Sequence, residues 1–278
     1  MFTLNCRGKL LEIREPLVMG IINATPDSFY KGNIADDMLR MAEGMIAAGA
    51  MILDIGGQST RSGSERITAD EEIKRVIPVI EKIHQHFPET VISIDTYQSV
   101  VASAAVAAGA SIVNDISSGD MDPAMITTVA SLQVPYICMH MKGTPDSMQQ
   151  NIHYENVLRE VLDYFIKKTV YCAAAGIKDV ILDPGFGFAK TPRHNFQLLK
   201  GLNVLGILEK PVLAGLSRKS TVYKTLGITA AEALNGTTVL NTLALQNGAS
   251  ILRVHDVKEA METVRLMEAY KEANLKIK

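Results

Sequence analysis

Eight short apolar runs recur along this chain, and nearly all of them stop on a side chain able to bind or react. Leu17–Ile22 stops at Asn23, Met51–Leu53 at Asp54, Val91–Ile94 at Asp95 and Ser111–Val113 at Asn114. Tyr136–Met139 stops at His140, Val180–Leu182 at Asp183, and Ile251–Leu252 at Arg253, with His255 two residues on. The remaining run, Val212–Ala214, leads into Gly215-Leu216-Ser217-Arg218-Lys219. Parallel strands buried on both faces require such unbroken runs. Eight of them with functional groups gathered at one end predict a (β/α)8 barrel with its chemistry at the C-terminal rim.

The segments between the runs carry helical periodicity. Ala35–Ala48 places Met38, Met41, Ala42 and Met45 on one stripe. Thr68 and Glu71 form a capping-box pattern ahead of Ile73, Val76, Ile77, Ile80 and Ile83, and Pro78 inside that stripe predicts a kink or a break. Further helices are expected over Gln98–Ala108, Pro123–Ala130, Ile152–Ala174 with Gly176 as its stop, and a last one carrying Val257, Met261, Val264 and Met267. Phe2–Asn5 and Lys9–Ile13 flank Arg7-Gly8 and read as a hairpin within residues 1–15, placed to plug the bottom of the barrel. An open doubly wound sheet would instead need G-x-G-x-x-G after an early strand. Gly185-Phe186-Gly187 lies late and lacks the third glycine, so the barrel is preferred.

A length of 278 residues suits one barrel domain spanning 1–278. Hydrophobic residues make up 47% but aromatics only 5%, with no Trp, so the core must be aliphatic and Met-rich. A net charge of −2 argues against a nucleic-acid or membrane partner, and any anion must be met by a local basic cluster. Cys6, Cys138 and Cys172 are scattered, without metal or disulfide spacing, which fits a reducing compartment. Met1–Leu10 lacks the apolar core of a signal peptide, and a cytoplasmic, soluble protein is expected.

The loops after the runs are more specific than the runs themselves. Met19-Gly20-Ile21-Ile22-Asn23-Ala24-Thr25-Pro26-Asp27-Ser28-Phe29 follows the first, and Asp54-Ile55-Gly56-Gly57-Gln58-Ser59-Thr60-Arg61 the second. Ser93-Ile94-Asp95-Thr96, Asn114-Asp115-Ile116 and His140-Met141-Lys142-Gly143-Thr144-Pro145 come next. Asp183-Pro184-Gly185-Phe186-Gly187-Phe188, Ser217-Arg218-Lys219 and Arg253-Val254-His255-Asp256 complete the set. In this order, each closing a barrel strand, these segments closely resemble the dihydropteroate synthase family of the folate pathway, over nearly the whole chain.

That resemblance implies condensation of 6-hydroxymethyl-7,8-dihydropterin pyrophosphate with p-aminobenzoate, giving 7,8-dihydropteroate and pyrophosphate. It assigns the pterin to Asp54, Asp95, Asn114, Met139, Asp183, Gly215 and Lys219. Asp183 would accept two ring donors, and charge-assisted bidentate pairing of this kind is strong and directional. The p-aminobenzoate would meet Phe29, Thr60, Arg61, Ser62, Phe188 and Ser217. Pyrophosphate would meet Asn23, Thr60, Arg61, Arg253 and His255, with Asn23 also holding Mg²⁺. Asp95, Lys219, Arg253 and His255 are the groups expected to promote the reaction. The same resemblance implies a homodimer packed through outer helices, and Thr25, Pro26 and Asp27 are expected to order only in the loaded complex. A dissociative path follows from chemistry: the pterin methylene carries a good leaving group beside an electron-rich ring, and the arylamine needs no strong base.

Three positions depart from the family pattern. Ser62 stands where a proline is usual before Gly63, Gln58 where a glutamate is usual, and Tyr30-Lys31-Gly32-Asn33 gives a shorter first loop. Losing a proline loosens the open loop, so weakened sulfonamide binding is expected. Two other readings compete. A methyltetrahydrofolate–corrinoid methyltransferase would share the pterin-facing acids but has no use for Arg253-Val254-His255. A non-enzymatic pterin binder would not need cations for a leaving group.

Overall fold

The computed structural model describes residues 1–25, 34–59, 66–145, 148 and 152–273. A two-stranded antiparallel hairpin, β1 (Phe2–Cys6) and β2 (Lys9–Ile13), opens the chain. The barrel strands then alternate with helices: β3 (Leu17–Asn23), α1 (Ile34–Ala47), β4 (Ile52–Gly56), α2 (Ala69–His86), β5 (Val91–Asp95), α3 (Ser99–Ala108) and β6 (Ile112–Asp115). After α4 (Met125–Leu132) come β7 (Tyr136–Met139), α5 (Val157–Ala175), β8 (Val180–Asp183), α6 (Pro192–Lys200) and a 3₁₀ turn over Leu202–Leu208. The chain ends with β9 (Leu213–Ala214), α7 (Ser220–Leu226), α8 (Leu234–Gln246), β10 (Ile251–Val254) and α9 (Val257–Glu272).

The strand order is β8-β7-β6-β5-β4-β3-β10-β9, with parallel pairing at each step. A parallel bridge from Leu182 to Val212, reinforced by the Leu182 N–H donating to the Pro211 carbonyl at 2.9 Å, brings β8 back to the β9 side. The barrel is therefore nearly closed, and its short β9 is the weakest stave.

Alternation along each strand divides the core in two. Met19, Ile52, Val91, Ile112, Ile137, Ile181, Leu213 and Ile251, one from each strand, form an interior layer with Leu4, Cys6, Leu11 and Ile13 of the hairpin. The hairpin thus plugs the bottom as expected. Their neighbours, among them Val18, Leu53, Ile92, Val113, Cys138, Leu182, Ala214 and Leu252, face outward against the helices.

Helix boundaries follow capping chemistry. Thr68 accepts from the Glu71 amide at the start of α2, and Asn156 from the Arg159 amide at the start of α5. The α5 stripe therefore begins at Val157 rather than Ile152, because Asn156 caps it, and it stops at Gly176 in the left-handed region. Likewise α4 begins at Met125, not at Pro123. Of the kink or break expected at Pro78, the break is absent: α2 continues through it. Pro78 and Lys74, whose carbonyl loses its helical partner, are both exposed residues, a setting in which solvent is available to that carbonyl.

Candidate active site

Moving two residues up each strand from the apolar layer keeps to the same interior face. Those positions are Ile21, Asp54, Ser93, Asn114, Met139, Asp183, Gly215 and Arg253. One more step of two on β5 reaches Asp95. The barrel interior therefore changes from wholly apolar to mostly polar within a single turn of the pleat.

These side chains touch one another. Arg253 donates through Nε to Asp54 Oδ2 and through Nη2 to Asp95 Oδ2, both at 2.6 Å. Asn114 Nδ2 donates to the same Asp54 oxygen at 3.0 Å. Asp54 Oδ1, Asp95 Oδ1 and Ser93 Oγ are buried without a hydrogen-bond partner, so the cluster retains acceptor capacity inside the mouth. Burial pushes Asp95 up to about 7 against the pull of Arg253, with Asp54 and Glu72 adding to the rise. Burial also opposes the charge on Arg253, but Asp54 and Asp95 outweigh it and hold the guanidinium firmly protonated.

The loop after β8 supplies the opposite wall. Asp183 ends that strand, 5% exposed, and its Oδ1 accepts from the Gly185 amide at 2.8 Å. Burial raises its pKa, and Lys219 is the foremost group opposing that rise. Lys219 donates to the Phe186 carbonyl at 2.6 Å and lies 4.8 Å from the centre of the Phe188 ring. Burial pulls this ammonium down to about 8, with Asp183 opposing the fall. Gly187 has a φ of +84°, and a Cβ there would lie 3.3 Å from Lys219 Cδ, so the turn needs glycine.

Ser217 and His255 meet at the rim, Oγ to Nδ1 at 3.0 Å, and the His255 amide donates to the same hydroxyl. The loops that carry them are clamped together by a bidentate pair in which Arg218 Nε and Nη2 donate to Asp256 at 2.8 and 2.7 Å. Asn23 ends β3 on the adjacent stave, exposed at the rim.

Thus Asp54, Asp95, Asn114, Met139, Asp183, Gly215, Lys219 and Arg253 converge on the barrel mouth, with Phe188 alongside Lys219 and with Asn23, Ser217 and His255 on the rim. Phe29, Thr60, Arg61 and Ser62, together with Pro26 and Asp27, lie outside the described residues. His140 is different. Its ring stacks edge-on against Tyr164 and its Nδ1 faces Lys190, so it turns away from the mouth, and burial holds it neutral by pulling it down to about 2. Asp115 likewise spends both oxygens on Ser117, Gly119 and Tyr136 and serves its own turn. Sequence reasoning missed Lys190, Glu72 and the Arg218–Asp256 clamp. Only the clamp left a signal: opposite charges in the loops after two neighbouring strands.

Among the described residues no group of three or more His, Cys, Asp or Glu could hold a metal. Asn23 offers a hard amide oxygen at the rim, which suits Mg²⁺ arriving with phosphate oxygens and waters.

Comparison with known proteins agrees with this geometry. The family described as pterin binding enzyme matches residues 19–255. Dihydropteroate synthase of Escherichia coli K12 is 42% identical, covering 95% of this chain and 94% of its own. The dihydropteroate synthase of Yersinia pestis, solved as a sulfonamide drug complex, superposes with a TM-score of 0.93 at 40% identity, over 98% of this chain and 100% of that one. That of Xanthomonas albilineans in complex with 7,8-dihydropteroate gives 0.89 at 36% identity, over 98% of this chain and 100% of that one.

Proposed function

This chain belongs to the dihydropteroate synthase family of pterin-binding enzymes, and we propose that its barrel mouth performs the family's condensation through the residues just described. The substrates are 6-hydroxymethyl-7,8-dihydropterin pyrophosphate and p-aminobenzoate, and the products are 7,8-dihydropteroate and pyrophosphate. One observation carries the residue assignment: an acceptor carboxylate, Asp183, and a donor ammonium, Lys219, share one wall of the mouth and face an acid–amide–guanidinium cluster.

A pterin edge presents two adjacent N–H groups beside a carbonyl. Asp183 accepts the first two and Lys219 donates to the carbonyl, while Asn114 and Asp54 close on the other edge. Met139 and Gly215 line the mouth beside them on the same interior face. Once bound, the pterin loses its diphosphate and forms a delocalised cation. Asp95 supplies the stabilising negative charge, and Arg253 and His255 the positive charge for the departing group. Asn23 would hold Mg²⁺, which would supply further counter-charge for the departing group. The neutral arylamine nitrogen then bonds to the methylene carbon and the resulting anilinium sheds one proton to solvent, with Phe188 and Ser217 shaping its subsite beside the family positions Phe29, Thr60, Arg61 and Ser62.

Two broader features accompany the reading. Phe196, Val204, Ile207, Leu226, Val239 and Leu243 are exposed on α6, the 3₁₀ turn, α7 and α8, which pack against one another, and this apolar face supports a homodimer. The three cysteines are free thiols, in keeping with a cytoplasmic enzyme. No described helix is long and apolar enough to cross a membrane.

The test is pyrophosphate release measured with each component omitted in turn. Release that needs both the pterin substrate and Mg²⁺, with dihydropteroate formed only when arylamine is present, supports the reading. Bound pterin with no release would favour a binder, and methyl transfer to a corrinoid the other enzyme.

A further inference from the structure

Lys190 is 3% exposed, lies just beyond the Asp183–Phe188 loop, and has no part in the chemistry above. Its Nζ lies 3.0 Å from the Gly185 carbonyl, 3.1 Å from that of Phe188 and 3.2 Å from that of His140. His140 Nδ1 is a fourth neighbour at 3.0 Å. Three carbonyl oxygens pointing at one spot repel each other, and a buried ammonium with three N–H groups answers all of them. Burial pulls Lys190 down to about 7, with Asp183 opposing the fall.

What the charge holds in place is the pterin wall. The Gly185 peptide that gives its carbonyl to Lys190 gives its N–H to Asp183 Oδ1 at 2.8 Å. Phe186, between the Gly185 and Phe188 carbonyls that Lys190 binds, gives its own carbonyl to Lys219 at 2.6 Å. Gly185 has a φ of +69°, and a Cβ there would lie 2.1 Å from the His140 carbonyl oxygen, so the loop is pressed flat against the end of β7. The loop is stapled by two lysines, one in the mouth and one behind it.

We infer that Lys190 is a positioning residue for pterin recognition: from behind the wall it fixes the Gly185 and Phe186 peptides, and through them the aim of Asp183 and Lys219. The inference rests on the pterin reading of Asp183 given above. It predicts a specific kinetic pattern for Lys190→Met. KM for the pterin pyrophosphate rises at least about ten-fold and kcat stays within about three-fold, as expected for lost uniform binding, while KM for p-aminobenzoate rises less, because Phe188 is the single residue of that subsite held by Lys190. Calorimetric affinity for 6-hydroxymethylpterin falls by the same factor.

Lys190→Gln, which keeps two N–H donors without the charge, gives an intermediate loss of pterin affinity and stands in if the Met variant does not fold. Unchanged pterin KM and affinity in a folded variant would overturn the inference. So would a fall in kcat with both KM values unchanged, or failure of both variants to fold, since each describes a merely structural lysine. A wild-type protein that binds the pterin but releases no pyrophosphate would sink the condensation reading instead, and the calorimetric arm would still decide the role of Lys190.

Discussion

The two ends of the barrel are built by the same strands, residue for residue, to opposite specifications. At the bottom, Met19, Ile52, Val91, Ile112, Ile137, Ile181, Leu213 and Ile251 close on the hairpin's Leu4, Cys6, Leu11 and Ile13 with no polar side chain among them. Two residues further along the same strands, Asp54, Asn114, Asp183 and Arg253 occupy the interior, and two of the local carboxylate oxygens are buried without a partner. The bottom gains stability from apolar area removed from water, about 25 cal/mol per Å². The top concentrates buried charge that adds little stability of its own, and such expense is tolerated where a ligand completes it. Stability and recognition are thus separated by about two residues, roughly 7 Å of strand.

Substitutions at the two ends should therefore behave differently. The largest effect is expected for Arg253→Met, which strands Asp54 and Asp95 without their counter-ion. Loss of a buried partner costs about 3–5 kcal/mol, measurable by denaturant unfolding at pH 8. Asp95 already has its pKa raised by burial to about 7, above the unfolded value of 3.8. Arg253 holds that value down, so in its absence the folded state binds the proton more tightly still, and part of the lost stability returns as pH is lowered from 8 toward the unfolded value. A variant equally unstable at pH 6 and pH 8 would contradict this charge account.

Next is Asp183→Asn, expected to weaken pterin binding at least about 100-fold, since an amide presents donors to the ring's own donors. Its thermal midpoint should change little. A large stability loss with preserved affinity would reverse the division between the two ends.

The pH profile of kcat/KM for the pterin substrate sharpens the same point. Asp95 must be ionised and Lys219 protonated, and burial moves them toward each other, to about 7 and about 8. Activity should fall on the acid side of the first value and on the alkaline side of the second, giving a narrow bell. A flat profile from pH 6 to 9 would count against both assignments. The smallest effect belongs to the bottom: Ile137→Val should cost about 1 kcal/mol of stability and leave both KM values unchanged. Altered kinetics there would show that the two ends are coupled.

Most of the fold was legible because a parallel barrel writes itself as apolar runs, and most of the mouth because its groups end those runs. The strand ends were read without their parity, however. Ile137 and Met139 face inward, so His140, one residue on, turns toward Tyr164 and Lys190. Counting by two from the apolar layer separates Asn114 from Asp115 in the same way. Of the kink or break expected at Pro78 the break is absent, and whether a helix continues through a proline depends on surroundings such as the exposure of Lys74 and Pro78, which the sequence does not spell. Lys190 left no trace at all: its partners are carbonyls of Gly185, Phe188 and His140, and backbone convergence has no residue code.

The most direct test is a crystal structure with the pterin bound. The account predicts the ring inside the barrel mouth, its donor edge on Asp183, its carbonyl toward Lys219 and its far edge at Asn114. A pterin bound elsewhere, or one whose donor edge turns away from Asp183, would contradict it.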